Sequence, residues 1–236
     1  CLLRYLFFGL LLSMMGLQNV TKLTSSGGMT IENTAMLTMT TTQAAGAHIT
    51  GLGGGEALLV VCAAGTSSAS PNLFNVTSGL SSIVLKTTSG TNFTLGSATQ
   101  LPSAMSVDIV GTETLTMDAG LVSRTITKSS SGNLIINGLV NTSAADLSGI
   151  ASDVPITLND ENNTTTFTGT LSDGTLTVAS GVIVTATAAI LNGKTINGVG
   201  TVVVSALDQT LNANLSMLTN TNVSSLVSLS SNVSFT

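Results

Sequence analysis

The chain has 236 residues, of which 43% are hydrophobic, 3% aromatic and 7% charged, with 11 acids against 6 bases and a net charge of −5. Ordinary soluble domains carry about 25% charged residues, and a nucleic-acid groove needs clustered cations for phosphates and rings for bases. Neither is present here, so a nucleic-acid partner is not expected.

Residues 1–15 stand apart from the rest. Arg4 precedes the apolar run Tyr5-Leu-Phe-Phe-Gly-Leu-Leu-Leu-Ser-Met-Met15. A membrane span needs about 20 apolar residues, whereas a shorter run suits the core of a secretory signal. A docked cap fits the same letters. The segment is therefore expected to be a short apolar helix acting as signal or cap, and to be the chain's sole route to a membrane. A lipid anchor on Cys1 fits worse, because hydrophobic residues follow it where a polar tether belongs.

From residue 16 to 236 the letters change to short aliphatic runs broken by Ser, Thr, Asn and Gly. β-branched residues suit a pleated surface, while Gly and Asn suit turns. In chain order, strands are expected at 29–31, 36–40, 57–62, 82–85, 92–95, 105–110, 114–117, 134–136, 155–158, 175–178, 182–187, 201–204 and 224–229. Single helical turns are expected at 143–150 and 212–218, where Ala combines with Asp or Asn. Cys62 lies in the run Ala57-Leu-Leu-Val-Val-Cys62 and reads as a buried free thiol; two cysteines make no disulfide framework.

The chain also repeats itself. Leu134-Ile-Ile-Asn-Gly-Leu139, with Thr142 and Ala145-Asp-Leu-Ser148, returns 68 positions later as Val202-Val-Val-Ser-Ala-Leu207, Thr210 and Ala213-Asn-Leu-Ser216. A shorter register runs through Gly90, Gly111, Gly132, Asp153 and Gly174, each 21 after the last and each introducing a strand. Three such steps nearly make the longer period. Together they predict an all-β fold, a right-handed parallel β-solenoid (β-helix) with rungs of about 20–23 residues. A looser copy relates Ile49-Thr-Gly-Leu-Gly53 to Ile196-Asn-Gly-Val-Gly200. The pattern runs to both ends, and natural solenoids are capped. Residues 16–236 are therefore expected to be a fragment of a longer protein.

The unit Ala188-Ala-Ile-Leu-Asn-Gly-Lys-Thr-Ile-Asn-Gly-Val-Gly-Thr-Val-Val-Val204, followed by Leu207 and Ala213-Asn-Leu-Ser216, resembles the repeats of large bacterial β-strand-repeat surface proteins. These are similar in style to autotransporter passengers and filamentous adhesins. The resemblance covers most of residues 16–236 in texture and repeat grammar. It implies an exported, elongated, structural or adhesive protein, and it carries over no functional residue.

The search for catalytic chemistry names few groups. His48 is the sole histidine and reads as a solvent-facing strand or turn residue. One His with two separated Cys leaves no zinc set. Polysaccharide lyases and hydrolases on β-helices use clustered acids with Lys or Arg. Asp153, Asp160, Glu161 and Asp173 form the densest acidic set here, but no two stand at equivalent positions of neighbouring rungs except Asp153 and, loosely, Asp173. The oxygen-rich loop Asn159-Asp-Glu-Asn-Asn163 raises calcium binding at Asp160 and Glu161, which take hard-cation chemistry, although a solvated loop is the favoured reading. Gly51-Leu-Gly-Gly-Gly55 lacks the Lys-Ser/Thr of a phosphate loop and reads as a tight turn. Thr-x-Thr pairs at 38/40, 114/116, 175/177 and 185/187 bring to mind hydroxyl arrays that order water, but only the second and third lie near a multiple of the rung step, and outward strand threonines are the favoured reading. Nine Asn-x-Ser/Thr sequons, at Asn19, Asn75, Asn92, Asn141, Asn162, Asn163, Asn214, Asn222 and Asn232, matter where the source glycosylates secreted proteins.

The expectation is thus a non-enzymatic structural or adhesive segment of a secreted or cell-surface repeat protein, with no catalytic, cofactor or metal residue assigned. Its expected partners are host or matrix surfaces, glycans or neighbouring copies. The alternatives are a β-helical carbohydrate-active enzyme or carbohydrate-binding module and, third, a water- or ice-binding solenoid.

Overall fold

The computed structural model describes residues 20–23, 28–31, 35–62, 68–69, 71–73, 76–139, 143–160, 164–206, 213–219 and 222–224. The apolar segment 1–15 and most of the strand expected at 224–229 lie outside them. What is described is an all-β parallel solenoid of about 8 turns with little helix. Its rungs come from strict alternation. Ala57–Val61, Thr114–Asp118, Asn133–Asn137 and Thr201–Ser205 each bury their second and fourth residues and turn the others outward, as the two-residue period of a strand requires.

The strands stack in four ladders. Sheet 1 holds Val20–Leu23, Gly28–Ile31, His48–Gly51 and Val76–Ser78, and sheet 2 holds Met36–Thr40, Ala57–Val61, Ser82–Lys86, Ser106–Ile109 and Ile126–Lys128. Sheet 3 is the longest, with Ser68–Ala69, Phe93–Leu95, Thr114–Asp118, Asn133–Asn137, Ile156–Leu158, Leu176–Val178 and Ile196–Gly198. Sheet 4 holds Thr164–Thr166, Ile183–Thr187, Thr201–Ser205 and Asn222–Ser224. Every pairing between these strands is parallel except that of Val20–Leu23 with Gly28–Ile31.

Inside sheet 3 one residue per coil lies on the next, in the column Phe93, Leu115, Leu134, Ile156, Leu176 and Ile196. All six are buried. A fully buried aliphatic or aromatic side chain stabilises by roughly 1.5–3 kcal/mol, and here each draws that from the coils directly above and below. The register of 21 approximates this column, whose members are 19–22 residues apart. Gly90, Gly111, Gly132, Asp153 and Gly174 each stand one to three residues before a strand of sheet 3.

The 68-residue repeat behaves differently in its two halves. Leu134–Ile136 and Val202–Val204 do not share a ladder, contrary to the alignment. Asn133–Asn137 stacks through Ile156–Leu158 and Leu176–Val178 onto Ile196–Gly198, while Thr201–Ser205 lies in sheet 4 on Ile183–Thr187. The reason is coil length. Leu134 stacks through Ile156 and Leu176 onto Ile196, three coils that span 62 residues, so a step of 68 overshoots and carries Val202 past sheet 3 into the next ladder along the coil, sheet 4.

The looser copy is the better structural match. Met36–Thr40, the helical turn Thr41–Ala44 and His48–Gly51 recur as Ile183–Thr187, the helical turn Ala188–Leu191 and Ile196–Gly198. Each helical turn is capped by the threonine before it, Thr40 or Thr187, whose hydroxyl accepts the N–H three residues on. Each is followed by a glycine at positive φ, Gly46 at 71° and Gly193 at 68°. These turns, with the short 3₁₀ stretch Ala119–Leu121, are the helical segments among the described residues. The segments expected to be helical, 143–150 and the described part of 212–218, are side-chain-closed turns instead, because Asp146 and Asn214 bond their own following backbone.

Candidate functional site

The groups with chemical potential are spread along the coils, and most are committed to holding backbone. Glu56 and Glu113, which the sequence search passed over, are both buried. Glu56 Oε2 accepts the N–H of Gly54 at 2.7 Å. Its own backbone N–H, then those of Gly54, Leu52 and Gly53, hold its carboxyl below the usual range against the opposing effect of burial. Glu113 reaches back one coil to accept the N–H of Gly90, and Asp160 does the same to Gly138. The local letters point to the Glu56 contact, where Gly53-Gly-Gly55 precedes the acid, but not to those of Glu113 and Asp160, whose partners Gly90 and Gly138 lie 23 and 22 residues away. A glycine N–H facing a neighbouring coil is an open donor that an acid satisfies well.

The other acids follow suit. Asp118 accepts the N–H of Gly120 at 2.9 Å and opens the 3₁₀ stretch. Asp146 accepts the N–H of Ser148 at 3.0 Å, and its carboxyl is held below its ordinary range by the Ser148 side chain and then its backbone. Asp173 pairs with Lys194 at 2.6 Å, and that hydrogen bond, with the lysine's charge, lowers its carboxyl too. Asp108 accepts from Ser129 Oγ at 2.6 Å and faces Lys86 Nζ at 3.5 Å. Arg124 spends its guanidinium on carbonyls, donating to Leu121, Pro102 and Met105.

Of the residues singled out from sequence, Asp153 and Asp173 fall at matching places on neighbouring coils, three residues before the aligned Ile156 and Leu176, and the others are not brought together. His48 is exposed at the start of His48–Gly51, aligned on Gly28 in sheet 1. Asp153 and Asp173 are exposed, whereas Asp160 is buried and also meets Thr165 Oγ1 at 3.4 Å. Glu161 and residues 162–163 of the calcium loop lie outside the described residues. Among the described residues no three of His, Cys, Asp and Glu group closely enough to hold a metal ion, and no helix is long and apolar enough to cross a membrane. Cys62 is 1% exposed, and burial pushes its thiol up to about 12. A thiol so held is a poor nucleophile.

What the fold does bring together is hydroxyls. The Thr-x-Thr pairs 114/116 and 175/177 fall in one ladder, and the coils between them continue the row. The outward residues of sheet 3 run Thr94, Thr116, Ile135, Thr157, Thr177 and Asn197 in register. The last two are linked, Thr177 Oγ1 donating to Asn197 Oδ1 at 2.7 Å. Asn159 Nδ2 donates to Asn137 Oδ1 at 3.3 Å beside them. The pairs 38/40 and 185/187 belong to sheets 2 and 4.

Comparison of the chain with protein-family models, with curated proteins and with solved structures found no match.

Proposed function

We propose that this chain is a non-enzymatic structural or adhesive segment of a secreted or cell-surface repeat protein, of the kind the bacterial β-strand-repeat surface proteins represent. The observation that carries the reading is the employment of the carboxylates. Glu56, Glu113, Asp118, Asp146 and Asp160 each accept a backbone N–H at a turn or corner. Glu113 and Asp160 tie adjacent coils and the other three close turns, so these acids are not poised for proton transfer. The outward residues that remain are mainly Thr, Ser and Asn, a neutral polar surface repeated coil after coil. Repetition suits a stalk or fibre, where length and multiple weak contacts matter more than one pocket. The partners proposed are a host or matrix surface, glycans or neighbouring copies.

The test incubates the purified chain with a panel of soluble polysaccharides and, separately, with immobilised matrix proteins and glycans. Retention on a surface without any new reducing or unsaturated sugar ends is the expected result. Release of such ends, abolished by Asp160→Asn or Asp173→Asn, would replace this reading with a β-helical carbohydrate-active enzyme.

A further inference from the structure

We propose that the outward face of sheet 3 is an ice-binding surface, holding an ordered layer of water against its rows of threonine. The inference stands apart from the stalk or adhesin reading and does not depend on it. Two residues before the row Thr94, Thr116, Ile135, Thr157, Thr177 and Asn197 runs a second, Asn92, Thr114, Asn133, Pro155, Thr175 and Thr195. Thr114 aligns on Asn133. The carbonyls of Pro155, Thr175 and Thr195 accept the N–H of Leu134, Ile156 and Leu176, which carries the same register onward.

The two rows form a grid. Parallel strands lie about 4.7–4.9 Å apart, and alternate residues along one strand about 6.5–7 Å apart. Hydroxyls and amides repeated at such distances offer anchor points to a lattice of water oxygens, with both rows threonine at Thr114/Thr116 and Thr175/Thr177. Within the protein, Asn92 Oδ1 accepts the N–H of Thr114, Thr177 Oγ1 donates to Asn197 Oδ1 and Thr195 Oγ1 donates to Met217 Sδ. Of the grid positions, 7 are threonine and 3 asparagine, with one isoleucine and one proline. Each threonine presents a methyl beside its hydroxyl, so the layer is both hydrogen-bonded and caged over apolar groups.

What the grid omits points the same way. None of its positions is charged; the nearest ions stand at its edge, with Asp153 and Asp173 two residues before Pro155 and Thr175 and Asp173 neutralised by Lys194 at 2.6 Å. None is aromatic, and Phe93, on one of the same strands, is buried on the other side. Sugar chains on flat protein faces are gripped by stacking on rings, so a crystalline polysaccharide is disfavoured as the occupant. Asp118, at the end of its strand, turns its carboxylate to the N–H of Gly120.

The test grows ice slowly from a dilute solution of the purified chain and measures the fraction of protein taken into the solid. The wild-type chain should be enriched in ice relative to a non-binding protein of equal size. Thr116→Lys with Thr157→Lys, which plants charge in the middle of the grid, should abolish the enrichment, whereas Thr127→Lys on sheet 2 should leave it intact. Thr157→Tyr serves as the second disrupting variant if the double one does not fold by circular dichroism. Exclusion of the wild-type chain from ice overturns the proposal, as does equal enrichment of a folded sheet 3 variant. Sedimentation with microcrystalline cellulose or chitin instead of ice, lost in the same variants, would assign the face to a polysaccharide.

Discussion

Asp146 and Asn214, 68 residues apart, close the same turn: each accepts the backbone N–H of the serine two residues on, at 3.0 and 3.1 Å. The match extends through the segment. Ile150 N–H donates to Leu147 O and Leu218 N–H to Leu215 O, both at 3.1 Å. Ile150 then bridges to Ile126, and Leu218 to Ile196. The long repeat is thus a repeat of turns more than of strands.

Leu147 and Leu215 follow the two turn-closing residues and should differ in cost. Leu147 is fully buried, while Leu215 is half-buried against the core near the end of the described coils. Leu147→Ala should cost about 2–5 kcal/mol, and Leu215→Ala distinctly less. Because coils contact their nearest neighbours, hydrogen exchange should show loosened amides around the altered coil and near-normal protection about three coils away. Uniform loss of protection along the chain would contradict the solenoid picture.

Two glycines separate backbone strain from crowding. Gly193 has φ 68° and open space where a Cβ would stand, so Gly193→Ala should cost about 1–2 kcal/mol from its left-handed backbone alone. Gly198 has φ 109°, and a Cβ there would lie 2.2 Å from the carbonyl oxygen of Val178 on the adjacent coil. Gly198→Ala should therefore be clearly the more damaging in urea unfolding. Equal costs would show that the coils can part without penalty.

Acid should weaken the fold through carboxylates bound to backbone or lysine. Glu56, Asp146 and Asp173 all have folded-state pKa values below their ordinary 4.5, 3.8 and 3.8. Their contribution is present above those values and is lost as pH falls through the lower, folded ones. Melting temperature should hold from neutral pH down to about 5 and drop below about 4. Asp146→Asn keeps the acceptor without the charge, so it should flatten part of that drop. An unchanged acid limb in this variant would remove Asp146 from the account.

Cys62 should give the opposite limb. Its thiol ionises near 9.0 when unfolded and near 12 when folded. A raised folded value contributes stability below the unfolded one and loses it as pH rises between them, at about 1.4 kcal/mol per pH unit. Cys62→Val should reduce the alkaline loss, and wild-type Cys62 should resist alkylation at pH 8 until denaturant is added. Rapid alkylation of the folded chain would mean the thiol is reachable.

His48→Ala should change neither melting temperature nor any surface-binding activity, since the imidazole is exposed at a strand start. Loss of a hydrolytic or lyase activity in this variant would require the enzyme reading.

Strand identity and fold class were legible in local letters. Alternation in Thr114–Asp118 or Asn133–Asn137 needs no neighbour to be read, because a pleated chain sends successive side chains to opposite faces. The register of 21 likewise located five of the seven strands of sheet 3, since coils of nearly equal length, 19–22 residues along that sheet, return their turns at a nearly constant step. Short strands such as Ile126–Lys128 and Ile196–Gly198 escaped notice, because one inward residue apiece makes no pattern. Tertiary structure alone decided which strands share a ladder. Leu134 and Val202 sit in similar letters, yet three coils of sheet 3 span 62 residues and not 68, so Val202 falls past that sheet and into sheet 4. It alone also decided that Glu113 and Asp160 bury themselves on glycine amides of the preceding coil, and that threonines from separate coils form one grid. Residues 20 or more apart in sequence become neighbours about 4.8 Å apart only once the coils are stacked.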